Sequence, residues 1–272
     1  MNVNVISGSR ADAGLLQPVY AALQAAGITT QCLSATDTVE PCDCAVVLGD
    51  RHEILKAAIG YYMHRIPIAH LCGGDVTLGS YDDAFRDCIS RLATWHFVTN
   101  DPAKLRLERM GYTNVHMVGT TSVDVINAHR STRRIAQPYV LVSYQPETAT
   151  GENRMEEVLA SLAPDKTAVI FTPNDDVGSE HITEMIHRYA RINPNVIVHD
   201  YVPHGYFLDL LDYCDEFIGN SSSMLYEAPF MGVRTRMIGD RQKGRVQPSG
   251  DGSPSLKIVK ILKDWHDSFR YR

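Results

Sequence analysis

The chain is poor in the patterns that announce metal, membrane or nucleic-acid chemistry. Its six cysteines (Cys32, Cys42, Cys44, Cys72, Cys88, Cys214) include no Cys-x-x-Cys pair. A zinc site is therefore not expected, and reduced thiols of a cytoplasmic protein are the ordinary reading. No run approaches the ~20 apolar residues of a membrane span. The start "MNVNVISGSR" lacks the basic residues and long apolar stretch of a secretory signal. Basic excess is missing too: 26 Lys and Arg stand against 32 Asp and Glu, a net charge of -6. That balance argues against a nucleic-acid partner. Neither a Gly-x-Gly-x-x-Gly fingerprint nor a Walker loop is present. Low-complexity segments and short repeats are absent as well.

What remains is a globular composition, 44% apolar and 21% charged over 272 residues, enough for one large or two modest domains. Short β-branched runs alternate with amphipathic stretches. "VNVIS", "CAVVL", "IPIAHL", "HFVT" and "VHMV" form a first series. After the polar stretch "HRSTRRIAQP", which reads as a linker, "YVLVSY", "AVIFT", "VIVHD", "EFIG" and "TRMIG" form a second. Continuous apolar strands separated by helices indicate parallel sheets covered on both faces. The expectation is an α/β protein with two doubly wound domains facing each other across a cleft. The expected boundaries are 1–134 and 135–252, with residues 253–272 a final helix that can pack back on the first domain.

Parallel sheets bind ligands beyond the carboxyl ends of their strands, which selects six polar loops. "SGSRADAG" sets Arg10 at a strand-to-helix turn, suited to an anion; a glycine turn with Asp12 near the helix start explains it equally well. "GNSSSMLYEAP" offers Ser221, Ser222 and Ser223, more hydroxyls than a helix cap needs. Glu227, one turn into the expected helix, can accept two hydrogen bonds from a ribose diol. Phosphate at one loop and a diol at another describe a nucleoside diphosphate. Asp50, Asp75, Asp82 and Asp83 follow or precede strand-end turns, with Arg86 one turn beyond Asp83. Carboxylates gathered near a phosphate would repel it unless they move protons. Bound Mg²⁺ is the competing use for them, although Arg10 and Arg86 can neutralise a diphosphate without it. His204, where a loop enters a helix, is a further candidate, while His70, Cys72 and His96 read as core residues or supports behind the site.

"GSRADAGLL", "GDRHE", "IPIAHLCGGDVTLGSYDDAFRDCISRLATWHFV", "TPNDDVGSE" and "FIGNSSSMLYEAPFMGVRTRMIGDRQKGR" resemble the UDP-N-acetylglucosamine 2-epimerase family, nearest to its hydrolysing branch. The resemblance implies the GT-B architecture of two Rossmann-like domains and a homodimer, with a UDP-sugar as substrate and neither cofactor nor metal. It assigns Ser221, Ser222, Ser223, Glu227, Arg10, Asn174 and His204 to UDP. It assigns Asp50, Asp75, Asp83, Arg86 and Gln145 to catalysis, although the family often has Glu at the second of these. Arg241 and Lys243 look like a basic pair beside the cleft. The implied reaction removes the C2 proton while UDP leaves C1, then adds water and reprotonates C2 from the other face. Two departures stand out. Gln145 in "SYQPET" occupies a position where the family commonly has His, so Glu147 or His204 would have to replace it, or the reaction differs. The chain is also considerably shorter than typical members. A UDP-sugar glycosyltransferase of the same fold and a catalytically impaired binding protein are the alternatives.

Overall fold

The computed structural model describes residues 1–8 and 10–270; for residues 10, 11, 269 and 270 it describes the backbone only. The chain divides into two compact units. The first holds Met1–Val76, Asp82–Asn127 and Val246–Arg272, and the second holds Thr77–Tyr81 and Ala128–Arg245.

The first unit is built on six parallel strands: β1 (Asn2–Ser7), β2 (Thr29–Ser34), β3 (Cys44–Leu48), β4 (Ile68–Leu71), β5 (Trp95–Val98) and β6 (Val115–Met117), in the order β2-β1-β3-β4-β5-β6. Its helices are α1 (Arg10–Ala25), α2 (His52–Met63), α3 (Asp83–Leu92), α4 (Asp101–Arg109) and α5 (Ser122–Ala128). Alternate strand residues point to opposite faces. Val3, Val5, Val46 and Leu48 pack on Leu16, Val19 and Leu23 of α1. Ile6, Ala45 and Val47 pack on Ile54 and Ala58 of α2 and Ile89 of α3. β2 has no counterpart among the apolar runs of the sequence. It is an edge strand whose residues are all at least partly exposed, so nothing selects for a hydrophobic run there.

The second unit has five parallel strands: β7 (Tyr139–Ser143), β8 (Thr167–Phe171), β9 (Val196–His199), β10 (Glu216–Gly219) and β11 (Thr235–Met237), ordered β11-β10-β7-β8-β9. Helices α6 (Met155–Ala160) and α7 (Ser179–Ile192) cover one face. There Val158, Ile182 and Ile186 meet Val140, Val142 and Ile170. Helices α8 (His204–Asp212) and α9 (Ser223–Tyr226) cover the other, with Leu210, Leu211 and Met224 against Tyr139, Leu141 and Phe217. A final helix, α10 (Pro254–Arg270), belongs to the first unit and lies on α1. Ile258 and Leu262 enter that core, and Trp265 meets Trp95 edge to face at 4.7 Å. Asp124 fastens its start, accepting from Ser253 Oγ (2.6 Å) and the Ser255 amide (2.8 Å).

The units divide at 127/128 and 245/246, earlier than the expected 134/135 and 252/253. Asp209 gives the physical reason for the first difference. Its carboxylate is almost fully buried on α8 and gathers the polar stretch that reads as a linker. It accepts from His129 Nε2 (2.9 Å), the Thr132 amide (2.9 Å), Thr132 Oγ1 (3.1 Å) and Arg134 Nε (2.5 Å). At the second boundary, the Ser249 amide donates to the Thr99 carbonyl (2.7 Å), so the chain has rejoined the first unit before residue 253.

Burial alone would raise the Asp209 carboxyl, but the hydrogen bonds from Thr132, Arg134 and His129 prevail and hold it down at about 2. A lowered folded-state pKa stabilises the protein above the ordinary carboxyl value and loses that stabilisation as pH falls toward about 2. Asp209→Asn is expected to cost about 2 kcal/mol at pH 7 by urea unfolding. The gap between variant and parent should close as pH drops below 3.8.

Candidate active site

Both sheets reverse their winding at one place, beside β1 in the first and beside β7 in the second. The loops leaving the strand ends there, and at the neighbouring strands, hold the nominated residues.

In the first unit, Gly49 and Asp50 follow β3, and α3 presents Asp83 and Arg86 one turn apart. Arg86 is 1% exposed and forms ion pairs with both Asp50 and Asp83. Its Nη1 also donates to the Asp75 carbonyl at 2.8 Å. A buried guanidinium is costly unless its donors are used, and here a planar fork meets two carboxylates and a carbonyl. Asp50 and Asp83 keep 21% and 25% of their side chains exposed, so each can still meet a ligand. Asp75 is buried, its Oδ1 accepting from Thr99 Oγ1 (2.8 Å) and Asn100 Nδ2 (3.3 Å). Neither Thr99 nor Asn100 stands out in the sequence. The one signal is "VTNDP", where Asn before Asp-Pro reads as a helix cap, and Asn100 Oδ1 does accept from the Ala103 amide at 2.9 Å to start α4. Ser9 and the Arg10 side chain lie outside the described residues.

In the second unit a set of buried amides ties the strand ends together. Asn220, fully buried, accepts from the Gln145 amide (2.6 Å) and donates to the Gln145 carbonyl (2.9 Å). Its side chain thus continues the pairing of β10 with β7 by one residue. Gln242 Nε2 donates to the Asn220 carbonyl (2.8 Å). Gln145 Oε1 accepts from the Asn174 amide (2.8 Å), and its Nε2 reaches Ser143 Oγ (3.4 Å). Gly219, at φ +135°, allows this approach, because a Cβ there would collide with the Ser143 carbonyl. The Gln145 carboxamide therefore holds the β8–α7 loop in place. Glu147 is also buried, accepting from Tyr144 Oη at 3.1 Å. Burial drives the Tyr144 hydroxyl up to about 12, so it stays protonated and donates.

The serines open a much shorter helix than expected. α9 ends at Tyr226, and Glu227 sits between it and a 3₁₀ turn, Ala228–Met231. Pro229 is the cause: it supplies no amide donor, and its ring clashes with a continuing helix. Ser222 is exposed while Ser221 and Ser223 are half-buried, and the Ser223 amide bonds Ser221 Oγ at 3.3 Å. His204, the first residue of α8, brings Nε2 to 3.7 Å from Glu227 Oε1. Arg241 and Lys243 have separate partners. Arg241 bonds the Pro146 carbonyl and Asp176 (3.3 Å), whereas Lys243 is exposed and reaches Asp240 at 3.6 Å. Asn174 is exposed.

A family model described as UDP-N-acetylglucosamine 2-epimerase matches residues 19–251. The chain belongs to this family. It is 32% identical over 223 residues to the GDP/UDP-N,N'-diacetylbacillosamine 2-epimerase (hydrolyzing) of Campylobacter jejuni, covering 75% of this chain and 58% of that protein. The UDP-N,N'-diacetylbacillosamine 2-epimerase (hydrolyzing) of Legionella pneumophila is 32% identical over 219 residues, with the same coverage, 75% and 58%. The chain thus spans a little under three-fifths of the length of these relatives. Among solved structures, the S. aureus MnaA-UDP co-structure superposes with a TM-score of 0.77 at 12% identity, covering 98% of this chain and 97% of that one. The Methanocaldococcus jannaschii UDP-GlcNAc 2-epimerase in complex with UDP-GlcNAc and UDP gives 0.73 at 15% identity, covering 97% and 99%. These likenesses bear out the GT-B-like α/β fold.

For this 2-epimerase family member, the amide set makes a stability prediction. Asn220→Ala leaves the buried amide and carbonyl of Gln145 without their side-chain partners, so a loss of about 3 kcal/mol is expected in urea unfolding. A change below about 0.5 kcal/mol would mean that these bonds are replaced at no cost.

Proposed function

We propose that the chain is a hydrolysing UDP-sugar 2-epimerase, converting UDP-N-acetylglucosamine or a close relative and water to UDP and the free C2-inverted sugar. The carrying observation is the carboxylate pair Asp50, just after β3, and Asp83, at the start of α3, both part-exposed and both bound to one buried arginine. One carboxylate takes the C2 proton while the C1–oxygen bond to UDP breaks, the electron pair leaving with UDP. Water then adds to the glycal at C1, and a proton returns to C2 on the opposite face. Two acid–base groups close together suit these two steps. Asp75, committed to Thr99 and Asn100, orients rather than transfers.

The second unit takes the nucleotide. Ser221, Ser222 and Ser223 offer amides and hydroxyls to the diphosphate. Glu227 receives the ribose diol, with His204 Nε2 3.7 Å from its carboxylate. Gln145, clamped on both faces of its carboxamide, holds Asn174 in place and moves no proton, since an amide cannot exchange one at ordinary pH. Support for UDP-linked substrates comes from the named relatives, whose matched part this chain shares.

Incubation with UDP-N-acetylglucosamine in heavy water, followed by NMR, is expected to give UDP and a manno-configured free sugar carrying deuterium at C2. Release of UDP with C2 unexchanged would overturn the proposal in favour of simple hydrolysis or transfer. Asp50→Asn and Asp83→Asn should each lower kcat by about 10²–10⁴-fold. Gln145→His should leave kcat within about threefold of the parent, because the position is structural here; a large rise would show that a missing proton carrier limits the rate.

A further inference from the structure

His70 stands on β4 with no exposed surface, between Val47 of β3 and His96 of β5 in the sheet register. Nothing in the proposed chemistry uses it, yet both ring nitrogens are committed. Nε2 lies 2.8 Å from the Gly49 carbonyl, and Nδ1 lies 3.0 Å from Ser90 Oγ. A carbonyl only accepts, so Nε2 carries the proton and Nδ1 accepts from the serine hydroxyl. Burial lowers the His70 pKa to about 4, with the Gly49 bond opposing and His96 adding to the fall, so the ring is neutral at ordinary pH.

The two partners belong to the two carboxylate-bearing segments. Gly49 immediately precedes Asp50. Ser90 follows Asp83 and Arg86 on α3 at seven and four residues, which places all three on one helical face. The turn that leads to Asp75 closes over the same ring. A Cβ on Gly73 would come to 2.9 Å from Ser90 Oγ and 3.1 Å from His70 Nδ1.

We infer that His70 is the positioning residue of the carboxylate site, holding the Asp50 turn with one nitrogen and the Asp83–Arg86 helix face with the other. This rests on reading Asp50 and Asp83 as the proton-transfer pair. An imidazole in the ordinary core would spend its nitrogens on whatever lay nearby; this one spends both on the segments that must keep their spacing. A misplacement of about 1 Å at such a site costs on the order of a hundredfold in rate.

The test uses His70→Phe, which keeps an aromatic ring but loses both bonds, and His70→Gln. The latter's carboxamide has an acceptor and a donor spaced like the two ring nitrogens. Steady-state kinetics with UDP-N-acetylglucosamine are read beside hydrogen exchange by mass spectrometry on the full chain. His70→Phe should lower kcat about 10- to 100-fold with KM within about threefold. It should also speed exchange at residues 49–52 and 73–76 more than across the rest of the first sheet. His70→Gln should restore kcat to within about fivefold of the parent and restore slow exchange. A folded His70→Phe with parental kcat and exchange overturns the inference, as does a His70→Gln that is equally impaired. Should His70→Phe not fold, Ser90→Ala cuts one arm only: a selective rise in exchange through residues 83–87 supports the inference, and its absence overturns it. Asp50→Asn in the same assay separates the two ideas. Parental turnover in that variant sinks the reading of Asp50 itself. If the parent chain turns over no UDP-sugar, the activity reading has failed and exchange alone decides on His70.

Discussion

The first unit depends on one buried cation. Arg86 is nearly inaccessible, and a guanidinium withdrawn from water is tolerable only when it is paired and hydrogen-bonded. Asp50, Asp83 and the Asp75 carbonyl engage both of its terminal nitrogens, and the two carboxylates offset its charge. The same contacts that make the arginine bearable bring two carboxylates from separate segments to one guanidinium, where repulsion alone would push them apart. Removing either carboxylate changes the arginine's environment as well as the proton chemistry, so effects within this trio will not add.

A second constraint repeats in both units: side chains extend the sheets where the backbone pairing stops. Asn220 does this between β10 and β7, and His70 holds the β3 turn by its carbonyl. Each is fully buried and each carries no charge in place. Neutral polar groups suit that position, since they fix a loop without the desolvation cost of an ion. Asp50 and Asp83, by contrast, keep part of their surface where solvent reaches them.

Much of this order is readable beforehand. Ten of the strands coincide with the runs read from the sequence, most of them because a strand covered on both faces must be apolar throughout. β2 escapes because an edge strand half open to solvent has no such requirement. The acids, the serines and Glu227 are visible as polar surplus at strand ends. Thr99, Asn100, Asn220 and Gln242 are not, since a lone amide or hydroxyl looks the same in a loop and in a buried network. The stretch at 129–138 looks like a linker for a related reason. Its His129, Thr132 and Arg134 bind Asp209, 75 to 80 residues away, and no local pattern marks that pairing.

The sequence by itself determined the alternation of strand and helix, the family, and the set of loops where chemistry is concentrated. Those follow from local periodicity and from motifs that neighbours in the chain complete. Only the tertiary structure decided that Arg86 faces carboxylates, that Gln145 is clamped in a buried amide set, and that both nitrogens of His70 serve the acidic segments. Each of those outcomes is a contact between residues distant in the chain or a partner chosen among many equal candidates, and such choices are made by packing and burial rather than by composition.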